Sequence, residues 1–473
     1  MSKLFIDEYN SGRFQRVIDC DSGENLYEVL TRNGVSMKGA VCKGAGICRG
    51  CQVYIVEEGM ECLACRYEIG PEDLHIVCQG RPAEQSVLLT NHSDTTSSST
   101  TSSNTTFECT NDINVQYGIA FDIGTTTIAS SFVELESGRI LSEQGCMNRQ
   151  GQFGADVISR IQYASSNPDG LNTMHRLICA DIEALIQSYV EQGYRKEQMK
   201  KLVFSGNTTM LHFLMNRSVN GMTGFPFTPE FLDGEQYEYD DMLIEIMPGK
   251  SAFVGADIVS GVQAVNLGCG QEYELLIDLG TNGELWLLNE EKGVCTSTSC
   301  GPAFANSVTK GNVYGTCLLD ELAKAYMEGK IDSDGLLQGE CFEKGISCGE
   351  IIITQDTVRQ IQLAKAAIRT GIELAAYELR IPLENISKVY LAGGFGFFLN
   401  LESAFTIGLL PDEFRGRITT VGNTSLKGSI QTLSLSEPML ILPTRLENSK
   451  VLDLSMSKNF QEFFLHRIPF PKL

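Results

Sequence analysis

Three cysteines near the start of the chain, Cys42, Cys48 and Cys51, are separated by five and two residues, with glycines between them. Thiolates hold iron–sulfur clusters, and several sulfur atoms converge on one small inorganic core only where the backbone wraps tightly, which glycine permits. A fourth ligand must come from farther along the chain, and Cys65 is the best candidate, with Cys78 in reserve. The spacing therefore predicts an iron–sulfur site.

A structural zinc site is the alternative for the same cysteines. Zinc sites favour two close pairs of ligands. Such pairs are present here as Cys48/Cys51 and Cys62/Cys65. A zinc site would have no use for Cys42 or for the glycines, so the iron–sulfur interpretation is favoured. Cys62 is also a second reserve for the fourth iron ligand, whereas the cysteines beyond residue 100 are scattered, as is typical of small packing residues.

Two similar sequences could hold nucleotide phosphates. Residues 122–127 read Asp-Ile-Gly-Thr-Thr-Thr, and residues 278–283 read Asp-Leu-Gly-Thr-Asn-Gly. A strand, a tight glycine turn and a second strand offer backbone N–H groups and hydroxyls to phosphate oxygens, while Asp122 and Asp278 can hold Mg²⁺ directly or through water. The predicted phosphate contacts are Gly124, Thr125, Thr126, Thr127, Gly280, Thr281, Asn282 and Gly283.

A third glycine loop follows a later apolar strand. It consists of Gly393, Gly394, Phe395 and Gly396. Its glycines let the backbone approach an adenosine closely, and its phenylalanine could form one wall of that site. Asn207, in a Gly-Asn-Thr-Thr sequence, is a further predicted nucleotide contact.

The second half of the chain repeats the first weakly. Residues 121–127 are echoed by residues 277–283, and residues 203–209 by residues 420–425, in the same order. The repeat predicts two related α/β lobes with a nucleotide bound between them.

A compositional break separates these lobes from the cysteines. Residues 92–106 contain no apolar side chain, so this segment cannot bury enough surface to offset its ordering entropy. It predicts a flexible tether; a long loop inside one domain is the alternative. The expected organisation is an electron-carrying domain over residues 1–90, a linker over 91–115 and a nucleotide-binding domain over 116–473. The two lobes are expected at about 116–272 and 273–473.

Composition restricts the partners. The chain has 473 residues with 59 acidic and 37 basic side chains, giving a formal charge of −22, and it shows no basic cluster. Nucleic acids and anionic membranes are therefore excluded as expected partners. No uncharged apolar run reaches the roughly 18 residues needed to span a bilayer. We expect a cytoplasmic protein, in which a local excess of cysteines indicates metal or redox work.

The two parts of the chain resemble known families. Residues 1–90 resemble the 2Fe-2S ferredoxins whose first three ligands have the spacing seen here and whose fourth lies in a Leu-Ala-Cys segment. Only thirteen residues separate Cys51 from Cys65, which is shorter than usual. From about residue 117, the three glycine motifs resemble the actin-like ATPase superfamily. The implied fold class is α/β with α+β: a β-grasp ferredoxin domain, a flexible tether, and a two-lobed actin-like (ribonuclease-H-like, ASKHA) ATPase domain.

Narrower motifs resemble the reductive activators of corrinoid proteins. They are Asn-Arg-Gln at 148–150 and the sequences at 154–161, 206–210, 255–258, 301–304 and 362–368. The resemblance implies ATP- and Mg²⁺-dependent return of an inactive Co(II) corrinoid protein of a methyltransferase system to Co(I). The electron would come from a low-potential donor through the 2Fe-2S cluster. Arg149 stands where the family usually has proline, and the tether replaces extra domains, so the oligomeric state stays open, with a homodimer as one alternative.

Four aspartates are the catalytic candidates that this resemblance implies: Asp122, Asp278, Asp156 and Asp257. The last two would orient Mg²⁺ or the attacking water; the alternative is that both cap or brace the starts of helices. Glu284 is a further candidate carboxylate.

Two other functions compete with this prediction. One is an ATP-driven electron donor to a radical dehydratase or reductase, which would need a 4Fe-4S cluster outside the N-terminal domain. The other is a redox-gated binding protein that passes no electron on. A sugar or carboxylate kinase is disfavoured, because a cluster has no use there.

Overall fold

The structure of the chain, a computed structural model, describes residues 2–7, 16–33, 35, 52–55, 60–64, 67, 69–71, 73–77, 115–280, 282–298, 315–348, 351–434 and 441–472. The chain divides into two compact units, Met1–Ser86 and Val87–Leu473. Residues 91–114 of the predicted linker and all four predicted cluster ligands lie outside the described residues.

A mixed sheet forms the frame of the smaller unit. Its described strands are β1 (Ser2–Asp7), β2 (Arg16–Cys20), β3 (Gln52–Ile55), β4 (Met60–Leu63) and β5 (Leu74–Val77). They are ordered β2-β1-β5-β3-β4, with β1 antiparallel to β2 and parallel to β5. This is the strand order of a β-grasp sheet, so the fold predicted for this part is confirmed within the described residues.

One helix, α1 (Leu26–Arg32), packs against this sheet. It begins where a side chain can satisfy its free N–H groups: Asn25 Oδ1 accepts hydrogen bonds from the backbone N–H groups of Tyr27 at 3.1 Å and Glu28 at 3.4 Å. Its apolar face is buried in a core shared with strand residues such as Leu4 and Ile76. Burial of this face holds helix and sheet together.

Two six-stranded sheets organise the larger unit. The first is built from β6 (Tyr117–Ile123), β7 (Thr127–Glu134), β8 (Ile140–Met147), β9 (Met199–Gly206), β10 (Glu235–Tyr239) and β11 (Met242–Ile246). The second is built from β12 (Tyr273–Leu279), β13 (Gly283–Leu288), β14 (Gly293–Thr298), β17 (Ile386–Ala392), β18 (Ile418–Gly422) and β19 (Ser449–Val451). Between β14 and β17 in sequence lies a small hairpin of β15 (Ile346–Cys348) and β16 (Ile351–Ile353).

The two sheets share one topology over five strands, and the sixth strand, β10 or β19, is added at opposite edges. Their orders are β10-β11-β9-β6-β7-β8 and β18-β17-β12-β13-β14-β19. In each, three consecutive strands form an antiparallel meander, and two later strands add in parallel beside the first strand of that meander. The predicted pair of related α/β lobes is therefore confirmed.

Helices cover the sheets and connect their strands. The described helices of this unit are α2 (Val157–Ser166), α3 (Gly170–Glu191), α4 (Thr208–Leu214), α5 (Ala256–Ala264), α6 (Gly315–Met327), α7 (Cys341–Lys344), α8 (Gln355–Leu379), α9 (Gly393–Phe398), α10 (Leu401–Thr406), α11 (Thr424–Leu433), α12 (Ile441–Glu447) and α13 (Phe460–Arg467). None of the helices in the described part of the chain combines the length and apolarity that crossing a bilayer requires.

One of the two sequence echoes is not a structural equivalence. Gly206-Asn207 follows β9, whose counterpart is β17, whereas Gly422-Asn423 follows β18, whose counterpart is β11. The two sequences agree because each ends a strand and starts a helix: Asn207 accepts from Met210 N at 3.0 Å, and Asn423 accepts from Leu426 N at 2.9 Å. The echo therefore reports a shared local turn, and assigning it to the repeat was wrong.

The helices α5 and α11 join the two sheets. A Cβ at Gly428 of α11 would lie 2.1 Å from the carbonyl oxygen of Ser260 in α5, so only glycine permits this approach. Gln263 of α5 donates to Thr432 Oγ1 of α11 at 2.9 Å, inside the same buried contact. The two helices are thereby packed tightly against each other along their length.

Candidate functional site

Asp122 and Asp278 occupy equivalent places in the two sheets. Each is the last residue but one of its strand, β6 or β12, and each is followed by a tight turn into the next strand. Asp122 pairs in register with Ser205 of β9, and Asp278 pairs with Glu284 of β13. The repeated strand-turn-strand sequence therefore places one carboxylate of each lobe at the end of its central strand.

Asp122 is held by the helix that follows β18. Ser425 Oγ donates to its Oδ1 at 2.7 Å, and Asn423 Nδ2 donates to its Oδ2 at 2.9 Å. The buried hydroxyl of Ser425 also bonds Ser205 Oγ at 3.0 Å, and Ser260 Oγ of α5 donates to the same Ser205 oxygen at 2.9 Å. A chain of three hydroxyls thus connects this carboxylate to both α5 and α11.

Asp257 lies in the first turn of α5, where its Oδ1 accepts from the backbone N–H of Ile258 at 2.9 Å. This position agrees with the alternative that the residue braces a helix start. It also brings the carboxylate close enough to Asp122 and Asp278 for their charges to interact. Asp257 therefore belongs with the site carboxylates.

Four carboxyl groups interact electrostatically at a site with little solvent: those of Asp122, Asp257, Asp278 and Glu284. Burial, with the Asp122 charge added, raises the pKa of Asp257 to about 7, and burial with the charges of Asp257 and Asp122 raises the pKa of Asp278 to about 8. Burial also raises the pKa of Glu284 well above its usual value, with Asp257 and Asp278 adding to the shift. For Asp122, burial raises the pKa, while the hydrogen bonds from Ser425 and Asn423 oppose the rise.

Such a cluster of carboxylates suits a divalent cation whose other ligands come from a bound molecule, such as the phosphates of a nucleotide. Within the described residues, no three acidic, histidine or cysteine side chains converge tightly enough to hold a metal by themselves. Mg²⁺ keeps several waters and is commonly bound through one or two carboxylates together with substrate phosphates. The donor set and the raised pKa values are those expected where a cation and its phosphate ligand complete the site.

The turn after β6 is braced from three sides. Gly124 N donates to Thr127 O at 2.9 Å, which closes the turn, and Asn148 Nδ2 donates to Gly124 O at 3.0 Å. Asn207 Nδ2 donates to the hydroxyl of Thr125 at 3.0 Å and so ties the turn to the start of α4. Thr126 is the exposed residue of this turn.

The matching turn after β12 meets the third glycine loop. Gly280 N donates to Asn282 O at 3.0 Å, and Thr281 lies outside the described residues. Gly393 has a φ of +83°, and a Cβ there would lie 2.5 Å from Asp278 Oδ1. The glycine therefore allows the third loop to pack directly against this carboxylate.

The sequence predicts a loop at residues 393–396, but these residues form the first part of helix α9, and the name third glycine loop is kept for them. Gly396 is buried, and Phe395 packs in part against the hydrophobic core of the second sheet, while Gly394 is half-buried. Phe397 is the aromatic residue beside Gly422, at the end of β18. It was not among the predicted contacts.

Asp156 takes the capping role that was its alternative. It is the exposed N-cap of α2, where its Oδ1 accepts from Ser159 N at 2.8 Å and the Ser159 hydroxyl completes a capping box. The carboxylate cluster at the strand ends forms from Asp122, Asp257, Asp278 and Glu284.

Sequence reasoning missed the residues that hold Asp122. Asn423 and Ser425 follow β18, and their Gly-Asn-Thr-Ser sequence was noticed only as an echo. The available signal was a strand end followed by an asparagine helix cap, the same pattern that made Asn207 a candidate. Cys42, Cys48, Cys51 and Cys65 lie outside the described residues, and their predicted roles stay predictions.

Two family models match the larger unit. The RACo middle region matches residues 117–269, and the C-terminal domain of RACo, described as the ASKHA domain, matches residues 272–313 and 306–473. The solved structure of a reductive activator for corrinoid, iron–sulfur protein is 26% identical and has a TM-score of 0.69. The similarity covers 100% of this chain and 98% of that one.

Curated relatives extend the similarity. The corrinoid activation enzyme RamQ of Eubacterium limosum is 30% identical over 379 residues, which is 66% of this chain and 63% of that protein's length. The [Co(II) methylated amine-specific corrinoid protein] reductase of Methanosarcina barkeri is 23% identical over 427 residues, covering 74% of this chain and 76% of that protein. Ferredoxin CarAc of a Sphingomonas species is 33% identical over 72 residues, covering 15% of this chain and 66% of that protein.

These matches agree with the two-lobed architecture of the larger unit. Because the RACo models together span residues 117–473 apart from 270 and 271, and the matching structure spans the whole chain, the protein belongs to the family of RACo-type reductive activators of corrinoid proteins.

Proposed function

We propose that this protein is an ATP-dependent reductive activator that returns an inactive Co(II) corrinoid protein to Co(I). The observation that carries the proposal is the paired placement of Asp122 and Asp278 at the ends of equivalent strands, in a chain of the RACo family. Relatives of this chain are named a corrinoid activation enzyme and a Co(II) corrinoid protein reductase, which supports the same activity.

The larger unit binds ATP and Mg²⁺ under this proposal. Asp122 and Asp278 approach the cation from the two sheets, and Asp257 or Glu284 orients its water ligands. Backbone N–H groups and hydroxyls of the two turns contact phosphate oxygens. These residues are Gly124, Thr125, Thr126, Thr127, Gly280, Thr281, Asn282 and Gly283. Asn207 and the loop Gly393, Gly394, Phe395 and Gly396 contact the remainder of the nucleotide.

The carboxylates also give the protein a means to respond to the nucleotide. Asp122 is bonded to Ser425 and Asn423 of the second lobe while its own strand belongs to the first. A cation that neutralises this carboxylate competes with those two hydrogen bonds. Binding of Mg²⁺ and ATP therefore favours a different arrangement of the lobes, and the nucleotide shifts the equilibrium only by the difference in its affinity for the two arrangements.

The smaller unit carries the redox group. We assign a 2Fe-2S cluster to Cys42, Cys48, Cys51 and Cys65, which supplies one-electron transfer when bound. The β-grasp strand order and the ferredoxin relative support this assignment. The electron donor is a low-potential reductant, the partner is the corrinoid protein of a methyltransferase system, and the proposed location is the cytoplasm. A homodimer is the oligomeric state to test.

An anaerobic assay tests the proposal. Co(II) corrinoid protein, a chemical reductant and this protein are mixed with and without ATP and Mg²⁺, and cobalt absorbance is followed. We expect Co(I) to form only with the nucleotide. No ATP-dependent Co(I) formation with any methyltransferase-linked corrinoid protein would overturn the function. Four iron atoms bound outside the N-terminal unit would favour a dehydratase-type activator instead.

A further inference from the structure

A buried guanidinium meets an exposed thiol in the connection between the two lobes. Arg445 of α12 is 5% exposed, and its Nη2 donates to Cys269 Sγ at 2.7 Å. Cys269 itself is exposed. The other terminal nitrogen, Nη1, is buried and has no hydrogen-bond partner in the part of the chain that the structure describes.

The backbone that carries the guanidinium is anchored by hydrogen bonds. Ser449 Oγ donates to the carbonyl oxygen of Arg445 at 2.8 Å, and the buried indole of Trp286 donates to that same Ser449 oxygen at 2.9 Å. Arg445 therefore projects from an anchored backbone. Its charge is largely removed from water, which makes an adjacent anion favourable.

A cation beside an accessible sulfur is the setting that produces a reactive thiolate. At Cys269 the residue is exposed, and the Arg445 guanidinium lies against its sulfur. Nη1 of the same guanidinium is a second donor. It has no hydrogen-bond partner within the described residues while the sulfur is bonded only by Nη2. An oxygen added to the sulfur would provide the acceptor that this donor lacks.

We propose that Cys269 is a site of oxidation by hydroperoxides, with Arg445 donating hydrogen bonds to the sulfur and to the oxidised product. The sulfur attacks one peroxide oxygen, the O–O bond breaks and an S–O bond forms. The sulfur loses two electrons and becomes a sulfenic acid, which carries the attacked O–H and can ionise to the sulfenate. The departing hydroxide or alkoxide takes up a solvent proton to leave water or an alcohol, respectively. Cys269 lies between α5, which carries Asp257, and β12, which carries Asp278.

The test uses the full-length, cluster-containing protein and no activity assay. Iodoacetamide labels the protein anaerobically at neutral pH, and peptide mass spectrometry follows Cys269 and the other exposed cysteine of the described residues, Cys317. A second sample receives hydrogen peroxide with dimedone as the sulfenate trap. We expect Cys269 to be labelled first by both reagents, and Arg445→Met to slow its labelling about tenfold while the rate at Cys317 stays constant.

Arg445→Lys separates the two parts of the proposal. It retains the positive charge but presents no second fork nitrogen, so alkylation should be preserved better than dimedone trapping. Trp286 fluorescence confirms that each variant remains folded. If Arg445→Met fails to fold, the wild-type comparison still decides: Cys269 reacting no faster than Cys317 with either reagent overturns the proposal, as does an unchanged rate in a folded Arg445→Met.

Discussion

The hydroxyl of Ser425 donates a 2.7 Å hydrogen bond to the carboxylate of Asp122, from the start of α11, the helix that follows β18 of the second sheet, to a central strand of the first sheet. The two residues are 303 positions apart in sequence. This bond is a direct polar link between the lobes at the place where the nucleotide is proposed to bind.

Removing that link should weaken the larger unit. Ser425→Ala leaves a half-buried carboxylate with one donor fewer, and the loss of a hydrogen bond to a charged group costs about 1.5–3 kcal/mol. Urea unfolding followed by the fluorescence of Trp286 measures the effect, because this residue is the single tryptophan of the chain and is fully buried in the larger unit.

Ser429→Ala is the matched control for this variant. Ser429 is buried on the same helix, and its hydroxyl donates to the backbone carbonyl of Ser425 at 3.0 Å. Its loss removes a helix-internal bond with no charged partner, so the expected decrease in unfolding free energy is about 0.5–1.5 kcal/mol. Equal losses of unfolding free energy in the two variants would show that the bond to Asp122 stabilises the protein no more than the helix-internal bond of Ser429 does.

The carboxylate cluster predicts an unusual dependence of stability on pH. The pKa of Asp278 is about 8 in the folded chain against an ordinary 3.8, so between these values the folded state keeps a proton that the unfolded chain has released. The free energy of unfolding therefore falls as pH rises from about 4 to about 8 and levels off above that. Asp278→Asn removes this contribution, and without metal or nucleotide it should raise the Tm at pH 8 by about 3 °C or more.

The gain should shrink towards pH 5, where the wild-type carboxyl is protonated in the folded state. Asp156→Asn is the control: Asp156 is an exposed helix cap, and asparagine caps as well as aspartate, so its Tm should follow the wild type at every pH. A gain of the same size from pH 5 to pH 8 would contradict the assignment of a high pKa to Asp278.

The third glycine loop can be tested against a position with the same backbone strain. Gly393 and Gly416 have φ values of +83° and +74°, but a Cβ at Gly416 meets nothing within 4 Å. Gly416→Ala should therefore show only the conformational cost of about 1–2 kcal/mol. Gly393→Ala adds a Cβ 2.5 Å from Asp278 Oδ1 and should lose more stability.

Nucleotide affinity distinguishes these two glycine variants further. Displacement of Asp278 by the new methyl group should weaken binding of a fluorescent ATP analogue at least about tenfold, or 1.4 kcal/mol, in Gly393→Ala. Gly416→Ala should bind as the wild type does. Unchanged binding by a folded Gly393→Ala would separate this loop from the nucleotide site.

Local sequence was sufficient to predict the carboxylates at the strand ends, but not the residues that contact them from elsewhere in the chain. Asp122 and Asp278 stand before glycine turns, a pattern visible within a few residues, and the structure places both at equivalent strand ends. Asn423 and Ser425 reach Asp122 only because β17 and β18 add in parallel beside β12 and α11 returns against α5. Such contacts depend on strand order, which a short motif does not encode.

Short motifs also failed to distinguish two candidate carboxylates for the same reason, namely that they do not encode tertiary packing. Asp156 and Asp257 both stand near the start of a helix, and the capping pattern alone gives no reason to separate them. Their helices differ in position: α2 begins at an exposed turn, whereas α5 begins between the two sheets and is packed against α11. Burial between charged neighbours, which raises the pKa of Asp257 to about 7, follows from that packing.

The proposed division of labour between the two units predicts separable losses of function. Cys48→Ser should abolish the visible absorbance of the cluster and ATP-dependent formation of Co(I), while ATP hydrolysis continues, because the hydrolytic residues lie in the other unit. Asp278→Ala should do the reverse, removing the ATP dependence and leaving the cluster spectrum unchanged.

Cys20→Ala is the control for the first variant, since Cys20 is buried in the core of the smaller unit and is not a proposed ligand. It should keep both the spectrum and the electron transfer. Equal loss of ATP hydrolysis in Cys48→Ser would contradict the two-unit mechanism.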